Sequence, residues 1–174
     1  MFENRLKADT KEAVEELKEA AITMVMITGD NSLTACCIAM KSGIADPSKR
    51  MLIVEISENK LEVEEYQQES KTDSRGKHKL DKGEFFSSID HEEDQFCLTG
   101  TAFNFLFDDV SMLTEEQKDL LLQCKVFART KPLDKAKVVM AYQQMGRKTA
   151  MCGDGANDSR ALKQADVGLS LSET

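Results

Sequence analysis

No apolar run in the chain is long enough to cross a bilayer. The longest, Ala20 to Ile27, is eight residues and includes Thr23, against the roughly 18–20 that a span requires. No basic segment followed by an apolar one marks a secretory leader. The five cysteines (Cys36, Cys37, Cys97, Cys124 and Cys152) contain no CxxC pair, and their odd number makes a disulfide or metal framework a poor reading. Three of them lie inside apolar runs and read as small core hydrophobes of a reducing compartment. His78 and His91, the two histidines, are isolated in a polar stretch and suggest no zinc site. Positive charge is scarce too. Lys plus Arg is 23 against 31 for Asp plus Glu, a net −8, which argues against a nucleic-acid partner because such a partner needs cationic surface. What remains, 174 residues at 41% hydrophobic, is enough for one domain with a core and an attached insertion.

Helix-like and strand-like segments alternate along the chain. Asp9 and Glu12 have capping-box spacing ahead of Val14, Leu17 and Ala21, which share a helical face. Met24 to Ile27 has the continuous apolar character of a buried parallel strand and ends at Thr28-Gly29-Asp30. A helix is expected from about Asn31, through Leu33, Cys36, Cys37 and Met40, with Gly43 as its stop. Met51–Val54 reads as a strand. From about Ser57 to Asp94 the pattern dissolves into Glu, Lys, Gln, Asp and Ser. That stretch reads as a solvated surface loop with a strand pair near Lys60–Tyr66. Order returns at Gln95–Leu98. Thr114 to Gln117 forms a second capping box before a helix through Leu122. Val126–Ala128 is a strand, Pro132 opens a helix carrying Ala136, Val139 and Met140, and Thr149–Cys152 is a strand running into Gly153-Asp154-Gly155. A short helix over about Asn157–Gln164 and a final strand, Val167–Leu171, follow. The alternation predicts an α/β fold, a parallel sheet covered by helices. Its expected parts are residues 1–49, an acidic insertion at 50–95, and residues 96–174.

Ligands of open parallel sheets bind beyond the carboxyl ends of the strands. Three segments put polar groups there: Thr28-Gly29-Asp30, the Arg129–Lys135 stretch, and Gly153 to Asp158. Together they supply a hydroxyl, backbone N–H groups freed by glycine, a lysine ammonium and several carboxylates. That set suits phosphoryl transfer with Mg²⁺. Singly the signals are weak. Thr28-Gly29-Asp30 alone reads as a turn with capping residues, and Lys135 alone as a solvated helix lysine. Two glycines, two aspartates and an asparagine within six residues after a strand do not serve turn geometry only.

Met26-Ile27-Thr28-Gly29-Asp30-Asn31, then Val126 to Arg129 with Pro132 and Lys135, then Met151 to Asp158 closely resemble the phosphorylation domain of P-type ATPases. These are members of the haloacid-dehalogenase-like superfamily, with a Rossmann-like sheet carrying helices on both faces. The resemblance covers residues 3–49 and 95–174 and is most similar to the type-five subfamily. The stretch from Phe2 to Lys7 and the Gly153–Asp158 and Ser170–Glu173 strings look like its B branch, polyamine exporters of late endosomes and lysosomes. Met26–Asn31 and Leu33–Cys36 look more like the A branch, endoplasmic-reticulum ATPases that remove mis-inserted transmembrane helices. The resemblance implies roles for matching residues. Thr28 and Gly29 would hold the transferred phosphoryl group, and Asp30 would lie near the nucleotide. Arg129 would face the nucleotide and Lys135 would neutralise the aspartyl phosphate. Asp154 would ligate Mg²⁺, with Asn157 and Asp158 completing that wall. Thr130, Lys131, Ser159 and Arg160 depart from the family's usual residues.

The family's nucleophile is the aspartate of a DKTGT motif, and the chain has no such motif. Asp81-Lys82-Gly83-Glu84 is a superficial echo that lacks the threonines and reads as surface loop. The nucleotide-binding domain, the actuator domain and the membrane helices of the family are expected elsewhere, as the chain's partners. The expectation is therefore the phosphate- and Mg²⁺-binding half of an ATP-driven phosphorylation site. It would lie on the cytosolic face of an endomembrane and remain inactive by itself. Without the central DKTGT strand, Met24–Ile27 and Thr149–Cys152 would keep open edges, and marginal stability is expected. A stand-alone phosphatase, which needs its own nucleophile, and a non-catalytic binding module are the competing readings.

Overall fold

Short apolar runs separated by capped helical segments order the chain as α1 (Thr10–Glu19), β1 (Met26–Ile27), α2 (Ser32–Ser42), β2 (Arg50–Ser57), β3 (Lys60–Glu65), β4 (His78–Leu80), α3 (Lys82–Ser88), β5 (Asp94–Thr99), α4 (Gly100–Leu106), α5 (Glu115–Gln123), β6 (Cys124–Ala128), α6 (Pro132–Gln144), β7 (Ala150–Gly153), a 3₁₀ turn (Ala156–Asp158), α7 (Ser159–Gln164) and β8 (Val167–Ser170). This computed structural model describes residues 6–67, 77–154 and 156–171. Phe2–Arg5, Gly155 and Ser172–Glu173, on which parts of the expected motifs fall, lie outside the described residues.

Helix limits follow local chemistry. Asn31 Oδ1 accepts the Thr34 N–H at 2.9 Å to open α2, and Gly43 closes it in the left-handed region at φ 85°. Thr114 and Gln117 form the reciprocal capping box expected from their spacing. Asp9 stands at the start of α1, but its side chain makes no capping hydrogen bond.

A six-stranded sheet has the order β1-β6-β5-β2-β3-β4. Its first four strands are mutually parallel, and β3 and β4 are added antiparallel. Strand alternation feeds two cores. Phe96, Leu98 and Phe127 face α4, α5 and α6, meeting Phe103, Leu106, Leu120, Leu121 and Val138. Cys97, Val126 and Ala128 face α2, meeting Ala35, Cys36 and Ala39. The fold is α/β with a mostly parallel sheet flanked by helices, the Rossmann-like haloacid-dehalogenase type.

The strand pair expected near Lys60–Tyr66 is present, and the described remainder of the polar stretch, read as a solvated loop, is instead built onto the sheet as β4 and α3. β3 pairs with β2 in an antiparallel hairpin and with β4 on its other side. Leu61 on β3 and Phe85 on α3 are fully buried in the larger core. Leu61 and Val63 alternate with Glu62 and Glu64, which is the pattern of a strand covered on one face only. The Asp81–Glu84 echo is likewise no loop. Asp81 accepts from Glu84 N–H, and Glu84 accepts from Asp81 N–H, each at 2.9 Å, so that carboxylate serves as the cap of α3.

β7 and β8 form a separate parallel pair. β1 pairs only with β6, and β7 only with β8, so each has a free edge among the described residues. Apolar packing joins the two sheets. Ile27 beside β6 touches the cluster of Val139, Met151 and Ala161. Asp166 fastens the start of β7 to that of β8. Its carboxylate accepts the Thr149 N–H at 2.9 Å, the Thr149 hydroxyl at 3.0 Å, the Gln143 amide at 3.3 Å and the Lys148 ammonium at 3.2 Å. The Thr149 N–H, followed by Gln143, the Thr149 hydroxyl and Lys148, holds this carboxyl well below the usual range.

Phe103 is fully buried, stacked on Phe107 and edge-on to Phe127. Phe103→Ala is expected to cost about 3–5 kcal/mol of unfolding free energy in urea titrations. For Asp166 the folded pKa is depressed. Its stabilisation is complete above the unfolded value of about 3.9 and fades as pH falls towards the folded one. Protection factors of the β7 and β8 amides, with the intrinsic exchange rate divided out, should therefore fall below about pH 4, and Asp166→Asn should lower them at neutral pH. An unchanged exchange pattern in the variant would contradict that assignment.

Candidate functional site

Three loops that follow β1, β6 and β7 carry the expected site residues, and two sets of contacts draw them together. The first stitches the β1 loop to the β6 loop. Thr130 donates twice to the Thr28 carbonyl, from its N–H at 3.0 Å and from its hydroxyl at 2.8 Å. Arg129 N–H donates to the Asp30 carbonyl at 2.8 Å. Within the β1 loop the Thr28 hydroxyl accepts the Asp30 N–H at 3.1 Å. Gly29 and Asp30 are exposed. Arg129 is also exposed and takes φ 49°, an uncommon left-handed conformation for a non-glycine residue.

The second contact joins the β6 side to the β7 side. Lys135, in the first turn of α6, places its ammonium 2.6 Å from Asp158 Oδ1, with the two side chains 12% and 10% exposed. Asp158 belongs to the turn after β7, so the pair brings the carboxyl ends of β6 and β7 to one side of the molecule. Gly153 makes this possible. A Cβ there would lie 2.6 Å from Asp158 Oδ2 and 2.7 Å from its Cβ, so only glycine lets the carboxylate cross the strand end. Asp154 and Asn157 lie beside this pair in sequence and are exposed.

The donor chemistry fits a hard divalent cation in part. Mg²⁺ takes one or two carboxylates and fills its remaining positions with water and phosphate oxygens. Asp154 is an exposed carboxylate at a strand end. Asp158 is already engaged by Lys135. Among the described residues no group of three or more His, Cys, Asp or Glu is poised as a self-sufficient metal cage.

Comparison with known sequences gives a uniform result. The chain is 36% identical over 182 residues to the human "Probable cation-transporting ATPase 13A4", covering 99% of the chain and 15% of that protein. It is 33% identical over 183 residues to the yeast (Saccharomyces cerevisiae) "Vacuolar cation-transporting ATPase YPK9", covering 99% of the chain and 12% of that relative. It is 32% identical over 185 residues to the mouse "Polyamine-transporting ATPase 13A3", again 99% of the chain and 15% of that relative. The chain belongs to the type-five (13A) group of P-type ATPases. It spans only about an eighth to a seventh of the curated relatives' lengths. No family model matches it. No helix among the described residues is long and apolar enough to cross a membrane.

In this type-five ATPase segment the structure also brings forward residues that sequence reasoning passed over. Thr130 stood out only as a departure from family pattern, yet it is 7% exposed and makes two of the three hydrogen bonds that join the loops. Asp134, 7% exposed, accepts the Lys131 N–H at 2.9 Å and the Asn104 amide at 2.8 Å. Its signal was legible as an acid two residues after the proline that opens a helix. Asn104, from α4, carried no such signal.

The Lys135–Asp158 pair yields a testable energetic statement. Removing one partner of a largely buried pair strands the other charge. Lys135→Ala should therefore lose about 3 kcal/mol of stability in urea at pH 7, and Lys135→Ala with Asp158→Ala should lose less than the single change. Additive losses in that double-mutant cycle would show that the two groups are uncoupled.

Proposed function

We propose that this chain supplies the phosphate- and Mg²⁺-binding part of the phosphorylation site of a type-five P-type ATPase, and that the nucleophilic aspartate comes from sequence outside it. The carrying observation is the 2.6 Å Lys135–Asp158 pair at the shared mouth of β6 and β7, set beside two strands with free edges. The names of the relatives, cation- and polyamine-transporting ATPases, favour the B branch, with a cation or polyamine as the transported species and an endomembrane as the location.

In the intact pump a strand carrying the aspartate would pair with the free edges of β1 and β7. The aspartate carboxylate would attack the γ-phosphorus of ATP. The new O–P bond gives the acyl phosphate, and the broken bond leaves ADP with the electron pair. Thr28 and the Gly29 N–H would orient the phosphoryl oxygens, as a hydroxyl and a backbone donor at the start of a helix can. Lys135 would turn from Asp158 towards the charge gathered on those oxygens. Asp30, Arg129 and Asn157 would border the nucleotide. Asp154 and Asp158 would hold Mg²⁺, which when bound offsets phosphate charge and bridges protein to substrate.

The test is reconstitution. The chain alone should form no acid-stable, hydroxylamine-labile phosphoenzyme from radiolabelled ATP. Co-expression with the DKTGT segment and nucleotide domain of a type-five relative should produce it on that segment, and Asp154→Asn in this chain should abolish it. Labelling of this chain by itself would reject the proposal. Stable association without any labelling would make the chain a non-catalytic binding module instead.

A further inference from the structure

We propose that Asp134 is a positioning residue for Lys135: it clamps the first turn of α6 to α4 and so aims the ammonium at the site. The inference rests on the reading above that Lys135 serves the phosphate. Its geometric content stands on this chain alone.

Asp134 is buried, and both carboxylate oxygens are used by donors from different elements. Oδ2 accepts the Lys131 N–H at 2.9 Å, at the entrance to α6. Oδ1 accepts the Asn104 side-chain amide at 2.8 Å, from α4. The same amide nitrogen donates to the Gly100 carbonyl at 2.9 Å, and Lys137, one turn along from the α6 entrance, donates to Asn104 Oδ1 at 2.9 Å. Asn104 is thus a bridge with three partners, held from its own helix and from α6. A lysine at position 131 has no acceptor with which to cap the helix, so Asp134 supplies the only side-chain half of a capping box there.

The space at this junction is also closed. A Cβ on Gly100 would lie 2.9 Å from the Arg129 carbonyl oxygen, 3.0 Å from Asp134 Oδ2 and 3.3 Å from Thr130 Cα. The N-terminus of α4, the loop that carries Arg129 and Thr130, and the first turn of α6 therefore meet without slack. Lys135 is the next residue along, and its direction is fixed by the turn that Asp134 holds. A buried carboxylate with fewer donors would be costly to keep. Here its donors come from α4 and from the entrance of the helix that carries the lysine.

The experiment is amine footprinting of the full 174-residue chain with an N-hydroxysuccinimide ester at fixed pH, read by mass spectrometry at Lys135. Amide exchange across Phe96–Leu98 in the central strand serves as the control for an intact fold. Asp134→Ala should raise the Lys135 labelling rate about tenfold, the scale of losing hydrogen bonds to a charged group, while the central strand stays protected. Unchanged Lys135 labelling in Asp134→Ala would overturn the proposal. If Asp134→Ala loses central-strand protection, Asn104→Ala decides the matter. A faster Lys135 with a protected core supports the clamp, and an unchanged Lys135 refutes it. Footprinting needs no ATP, so its failure leaves the phosphorylation-site proposal standing, and failed reconstitution leaves the clamp standing.

Discussion

The ion pair between Lys135 and Asp158 is the constraint on which the site depends. Among the described residues no ladder hydrogen bond joins the six-stranded sheet to the β7–β8 pair. Their relative placement rests on packing around Ile27, Met151 and Ala161, on the hydrogen bonds of Gln143 to Gln164 and Asp166, and, at the carboxyl ends, on this short contact of 2.6 Å. Both side chains are about nine-tenths buried, so neither charge is tolerable without the other. The same dependence makes the pair exchangeable. Under the proposed role, a phosphate carrying Mg²⁺ would offer the lysine a new anion and the aspartate a new cation, so ligand entry would strand neither charge. An apolar link between the two sheets would hold the geometry equally well but could not be traded for substrate in this way.

Much of the frame was legible because local chemistry and tertiary position agree. Asn31 and Gly43 bracket α2, Thr114 and Gln117 open α5, and Pro132 starts α6. The strands β1, β6 and β7 fall on short apolar runs. The strand near Lys60–Tyr66 was legible from its alternation, Leu61 and Val63 set between glutamates. The rest of the insertion was misread because composition was weighed above its few apolar residues, of which Leu80 and Phe85 reach the core. β5 hid in part for a different reason. All six of its residues are buried, yet Asp94, Gln95 and Thr99 are polar. Each is answered by a distant partner: Arg50 to Asp94 at 2.7 Å, the Asp46 N–H to Gln95 at 3.0 Å, and Thr99 to the Val54 carbonyl at 3.2 Å. Such partners become visible only once the strands are assembled.

The site divides along the same line. Residues read from motif (Thr28, Gly29, Asp30, Arg129, Lys135, Asp154, Asn157 and Asp158) lie on the three turns at strand ends or in the first turn of the helix that follows, because a parallel sheet places its βα connections on one side. The residues that hold those loops in register, Thr130, Asn104, Asp134 and Gly100, come from packing between elements far apart in sequence. Thr130 reaches back 102 positions to Thr28, and Asn104 spans 30 positions to Asp134. Periodicity and spacing carry no information at that range. A single sequence therefore exposes groups that face ligand more readily than those that set where they point.

The free edges of β1 and β7 bear on how far this segment is self-sufficient. Parallel strands are ordinarily buried on both faces and paired on both sides, and an exposed edge offers its N–H and C=O groups to any extended segment. Here the two edges are short, two residues in β1 and four in β7. The residues beside them, Ile27 and Met151, are apolar and already packed into one cluster. A sheet that had merely ended would be expected to turn charged or proline-rich at such an edge, as β4 does with His78 and Lys79 on the far side of the same sheet. Apolar, partly covered edges instead match a position meant to be occupied. On that argument, the backbone requirement for a partner strand and the chemical requirement for an acceptor carboxylate point to the same place between β1 and β7, and one incoming segment can satisfy both.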